Sequence, residues 1–161
     1  MIENFSKWLG DTSLSHALGD IVWFVPLVQT LHILCVAIVL LGVGTLAFKL
    51  LGLAGRARPF APMAAYFLPW IWRVLIVMLM TGIFLTIVEP DRELLNIAFR
   101  LKMLMVIALV IVLRWVRLNP QTEPSGVASS AMELRAPRTL GLIALLLTVS
   151  IVIAGRLIAY V

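Results

Sequence analysis

Seven residues, Gln29-Thr30-Leu31-His32-Ile33-Leu34-Cys35, carry the chain's only cysteine and one of its two histidines inside a long apolar run. An imidazole in hydrocarbon needs a partner, a ligand or a water-filled cavity. On a helix, Gln29, His32 and Cys35 or Val36 follow i, i+3 and i+7 and share a face. For His32, two readings stay open: a metal or redox ligand, and an interhelical hydrogen bond. Cys35 alone reads as a small buried hydrophobe, and Gln29 as a hydrogen-bonding residue between helices.

Further cations sit where an apolar chain does not need them. Arg100 and Lys102 open the third apolar run and Arg156 closes the last. They either snorkel outward to Glu89, Asp91 or Glu93 and to lipid headgroups, or hold an anionic group such as haem propionates or an acidic small molecule. Two residues apart on a helix, Arg100 and Lys102 point in different directions, so at most one is expected to face His32. The pairs Met78/Met80 and Met103/Met105 offer soft thioethers for copper or haem iron. Core filling explains them better, with one member of each pair facing lipid. Gly42, Gly44, Thr81, Gly82, Gly141 and Ala144 are expected to let helices approach closely.

The chain that must position these groups has 161 residues, 62% hydrophobic and 13% charged, with a mean hydropathy of +1.08. Soluble domains hold about 45–50% apolar and about 25% charged residues. The sequence therefore predicts an all-α integral membrane protein with one transmembrane domain over 1–161. An antiparallel four-helix bundle is expected, with spans near 26–50, 63–88, 94–117 and 138–160 and a short interfacial helical segment within 1–22. Asp11 and Ser13 could cap a helix running through His16, itself read as a solvated surface histidine. Pro26 suits a first helical turn, Glu89 to Glu93 reads as a tight turn, and 119–137 as the longest loop. The N-terminus lacks the layout of a cleavable signal peptide, so the first span is expected to direct insertion.

Lys49, Arg56, Arg58 and Arg73 flank one loop and Arg114, Arg117, Arg135 and Arg138 another, whereas the N-terminal tail is acidic. The positive-inside rule puts both loops in the cytoplasm and both termini outside. Trp23 and Tyr160 would then mark the outer interface, and Trp70, Trp72 and Trp115 the inner one. At 1.5 Å per residue, His32 lies about 9 Å below the outer surface, level with Arg100, Lys102 and Arg156. The basic residues mostly flank apolar runs, which argues against nucleic-acid binding. No Ser/His/Asp set, intramembrane carboxylate pair, phosphate-binding glycine loop or His–Cys zinc spacing is present, which disfavours hydrolases and nucleotide-dependent enzymes. Four helices leave little lumen for a channel within one subunit.

Gln-Thr-Leu-His-Ile-Leu at 29–34, Asn-Ile-Ala-Phe-Arg-Leu-Lys-Met at 96–103 and Ala-Gly-Arg-Leu-Ile-Ala-Tyr at 154–160 resemble a family of bacterial four-helix inner-membrane proteins of unassigned activity. The resemblance covers nearly the whole chain, and Gln29 stands where that family usually carries Glu. His32 and the Arg-Leu-Lys opening of the third run are more weakly similar to copper-resistance D-type and b-type cytochrome four-helix proteins. That similarity implies haem b, copper or quinone, although such relatives use several histidines. Three functions follow as expectations. One is a haem b redox protein of the bacterial inner membrane, with His32 axial, Arg100 or Arg156 on the propionates, and the second ligand from a homodimer mate, His16 or a methionine. Its partner would be a quinone or a redox protein. The others are a copper-handling protein using His32 and Cys35, and a non-catalytic accessory subunit with a structural His32.

Overall fold

The computed structural model describes residues 1–53, 60–118 and 135–157. Among these the structure is helical: α1 (Ile2–Gly10), α2 (Ser13–Gly19), α3 (Phe24–Leu50), α4 (Phe60–Val88), α5 (Pro90–Leu94), α6 (Ile97–Leu118) and α7 (Arg135–Leu157). Three are long and apolar enough to cross a membrane: Phe24–Leu50, Pro62–Val88 and Arg138–Arg156. The fourth long helix, α6, differs because its uninterrupted apolar stretch runs only from Met103 to Leu113, between Lys102 and Arg114. Leu31, Ile38 and Leu41 of α3 and Ile76, Leu79 and Ile83 of α4 are exposed, an outward surface suited to hydrocarbon and not to water.

Local chemistry sets the ends. The N-terminal segment forms two short helices, and Thr12, rather than Asp11 or Ser13, joins them. Its hydroxyl donates to the Leu9 carbonyl at 2.7 Å and accepts from the Ser15 N–H at 3.3 Å, so one side chain closes α1 and caps α2. Pro26 lies in the first turn of α3, which begins at Phe24. A left-handed Gly52 (φ 77°) ends that helix, with Gly52 N–H on Lys49 O and Leu53 N–H on Phe48 O, the paired bonds of a Schellman stop. Glu89 to Glu93, expected as a tight turn, is instead the start of α5, with Pro90 in its first turn. The third long helix consequently starts at Ile97 and not near 94, with the Asn96 side chain accepting from Ala98 N–H at 2.8 Å. Tyr160, the loop over 119–134 and Arg56 and Arg58 lie outside the described residues.

Helix α3 packs on both α4 and α7, α6 packs on α7, and α4 and α6 meet only sparingly. The core runs along these contacts through Val39, Val43 and Leu46 of α3, Leu68 and Ile71 of α4, Leu109 and Leu113 of α6, and Ile151 of α7. Two glycines set the separations. A Cβ on Gly42 would meet Ile71 Cγ1 at 2.9 Å, and one on Gly141 would meet the Ala47 carbonyl oxygen and Leu50 Cβ at 2.9 Å. Gly44 has open space around it and plays no such part.

The N-terminal hairpin packs unusually. Its buried residues are Ser6 and Ser15, while Ile2, Phe5, Trp8 and Leu14 are exposed. The Ser6 hydroxyl donates to the Asp91 carboxylate and that of Ser15 to the Ile87 carbonyl at 2.8 Å. Polar clasps thus hold the hairpin to α4 and α5, and its apolar side chains, Phe5 and Trp8 among them with ring centroids 5.8 Å apart, face outward.

Gly141→Ala is expected to destabilise the protein by about 1–3 kcal/mol, because the new methyl group meets backbone that cannot rotate away. Gly44→Ala should be neutral or slightly stabilising. Thermal unfolding of both variants in detergent checks the contrast.

Candidate functional site

On α3 the buried positions Val28, Cys35, Val39 and Val43 form one stripe, and His32 lies on it, half-buried. Two turns inside the α5 end of α3, its Nδ1 sits 2.8 Å from Thr81 Oγ1, two turns inside the same end of α4. The Thr81 hydroxyl also lies 3.0 Å from the carbonyl oxygens of Val77 and Met78. If its one proton goes to those carbonyls, it accepts from His32, and the imidazole hydrogen then belongs on Nδ1. Gly82 lies beside the ring, where a Cβ would stand in ordinary contact, 3.6 Å from His32 Cε1.

The second polar group is Lys102 of α6. It is partly buried, its charge reaches His32, and its Nζ passes 3.7 Å from where a Cβ on Gly155 of α7 would stand. No described residue forms an ion pair with it. Glu93 of α5 is the carboxylate whose charge acts on it. Burial holds the Glu93 carboxyl above the usual carboxylate range, against the opposing pull of Lys102 and Arg92. Arg92 itself pairs with Glu89 at 2.7 Å on the surface. The site thus joins all four long helices: His32, Thr81 with Gly82, Lys102, and Gly155, with Glu93 above them.

Of the residues singled out in the sequence, the structure brings together His32 and Lys102. Gln29 is exposed, one position round from the buried stripe, and does not join them. Arg100 is exposed and reaches back to the Leu95 carbonyl at 3.5 Å, and Arg156 is exposed at the end of α7. Neither cation accompanies His32, which corrects the expectation that they would hold the acidic edge of a ligand there. The physical reason for Arg100 is its two-residue offset from Lys102, which turns it out of the bundle. His16 lines a separate open cavity of about 490 Å³ at the α5 end, beside Asp20 and Glu89. Met78 and Met105 pack on the core while Met80 and Met103 are exposed, as expected of thioethers at two-residue spacing. Cys35 is buried. Among the described residues no group of three or more His, Cys, Asp or Glu could hold a metal ion.

Thr81, Glu93 and Gly155 complete the site beyond the residues expected to form it. Thr81 had a legible signal: in an antiparallel pair it stands as far from the α5 end as His32 does. Replacing Thr81 by Val should release the imidazole proton and destabilise the protein by about 1 kcal/mol. A double-mutant cycle with His32→Ala should show a coupling of about 0.6 kcal/mol, typical of interhelical bonds in membranes. Additive effects of the two substitutions on unfolding would contradict the bond.

No family model matches the chain, no curated protein matches it, and no solved structure matches its fold.

Proposed function

We propose that the chain is a four-helix protein of a bacterial cytoplasmic membrane, with both termini outside, that binds haem b at His32 and transfers electrons. The observation that carries the reading is the His32 Nδ1–Thr81 hydrogen bond: with Nδ1 engaged there, Nε2 has no hydrogen-bond partner among the described residues. Ligating histidines commonly show this arrangement, with the other ring N–H held by a hydrogen-bond acceptor that orients the ring. Lys102, without an ion-pair partner among the described residues, supplies the positive charge that a propionate would need. His32 would hold the iron, Thr81 would orient the imidazole, and Lys102 would anchor an acidic edge. The group itself supplies one-electron redox chemistry when bound.

The membrane assignment rests on the three apolar helices and on charge. Lys49, Arg73, Arg114, Arg117 and Arg138 occupy one end of the long helices, and every carboxylate among the described residues occupies the other. By the positive-inside rule the basic end is cytoplasmic. Helix α6 crosses with its sisters if Arg100 turns outward to the surface, the direction it takes towards Leu95.

A second reading has its own observation. The His32–Thr81 bond ties α3 to α4, which is sufficient reason for a histidine in an accessory subunit with no cofactor. Absorption spectroscopy decides between the two. Protein purified after expression with haem supplied should show a Soret band, lost in His32→Ala and weakened in Lys102→Gln. The band positions report whether a methionine or a second copy completes the iron coordination. A colourless wild-type protein that loses stability on His32→Ala would leave the accessory role. For topology, Lys7→Cys should react with an impermeant maleimide from outside the cell and Arg117→Cys should not, both in a Cys35→Ala background.

A further inference from the structure

At the basic end, where α4 and α6 meet only sparingly, a crevice of about 170 Å³ opens between them, with Phe60, Ala65, Leu68, Pro69, Val116 and Arg117 among its lining residues. Two polar functions line it and a third lies behind its wall. At the rim is the exposed guanidinium of Arg117, which forms no ion pair with a described residue. In the wall, Pro69 lies inside α4 and has no N–H, so the Ala65 carbonyl loses its i+4 donor. One turn deeper on the same face, the indole N–H of Trp72 is buried without a hydrogen-bond partner. Ala65, Leu68, Pro69 and Trp72 follow the spacing of one helix face.

These three functions demand a particular ligand. It must bring an anion for Arg117, a hydroxyl for the carbonyl, and an acceptor for the indole N–H, on a body that tolerates Phe60, Leu68 and Val116. A bare phosphate ion satisfies the first and loses hydration against the apolar wall. We infer that the crevice is a site for an anionic phospholipid with a hydroxylated headgroup, phosphatidylglycerol in class. Its phosphate pairs with Arg117, the headgroup hydroxyl donates to the Ala65 carbonyl, an ester carbonyl accepts from Trp72, and the acyl chains run along the outer faces of α4 and α6. The surrounding level fits a headgroup region, since Arg73 stacks on the exposed Trp70 ring at 5.2 Å and Arg114 and Trp115 are exposed nearby on α6.

The test is binding to the purified full chain in detergent, followed by native mass spectrometry and thermal shift. The probes are phosphatidylglycerol, phosphatidylcholine with the same acyl chains, and inorganic phosphate. Phosphatidylglycerol should bind saturably, with inorganic phosphate failing to compete. Arg117→Gln should weaken it about fivefold, the effect of one cation at a membrane surface. Trp72→Phe should weaken it by about fivefold too, the effect of one hydrogen bond. Without lipid, Trp72→Phe should melt only modestly below wild type, because removal of an unpaired buried donor offsets part of the packing lost with the smaller ring. Arg138→Gln should leave binding unchanged. Equal retention of the two phospholipids would overturn the proposal. So would full competition by inorganic phosphate, or phosphatidylglycerol binding indifferent to both Arg117→Gln and Trp72→Phe.

Discussion

A ring nitrogen in an apolar bundle must find its hydrogen bond within the chain, and that constraint orders the α5 end of this molecule. His32 meets it through Thr81, two turns from the end on the neighbouring helix. Thr81 also rests its hydroxyl on the carbonyls of its own preceding turn, so the bond ties the ring to the α4 backbone. Gly82 flanks the imidazole, and Gly155 flanks Lys102. The polar site and the glycines around it are one solution to one desolvation problem.

The rest of the bundle solves a different problem with similar means. Lipid-facing surfaces give helices little hydrophobic reason to associate, so close backbone approach and dispersion carry the load. Gly42 and Gly141 let α3 touch Ile71 of α4 and the backbone of its own α3–α7 contact. Helix α3 becomes the hub, flanked by α4 and α7, and α6 joins through α7. The sparing contact between α4 and α6 follows from this order and leaves the crevice at the basic end.

The long helices were legible because composition and charge at their flanks leave few alternatives, and two of the differences at helix ends trace to side-chain chemistry. Thr12, and not Asp11 or Ser13, caps α2 because it stands at the extended position just before the helix, where its hydroxyl both donates and accepts. Pro90 started a helix where a turn was expected, since proline fits a first turn without losing a needed donor. In the site, depth alone put Arg100, Lys102 and Arg156 level with His32, but depth carries no rotation. Rotation separated Lys102, which points in, from Arg100 and Arg156, which do not. Thr81 was read as a small residue, although its distance from the α5 end matched that of His32, because its role depends on which helix stands opposite.

The N-terminal hairpin turns the usual order of a helix inside out, with serines inward and Phe5 and Trp8 outward. Its two attachments therefore answer to opposite solvents. The serine clasps on Asp91 and Ile87 weaken where water competes for them, and the aromatic grip weakens where apolar surroundings are withdrawn. Only at a boundary between the two phases do both hold together. The hairpin in that sense ties α5, and with it the turn bearing Glu93, to an outward apolar patch at Phe5 and Trp8.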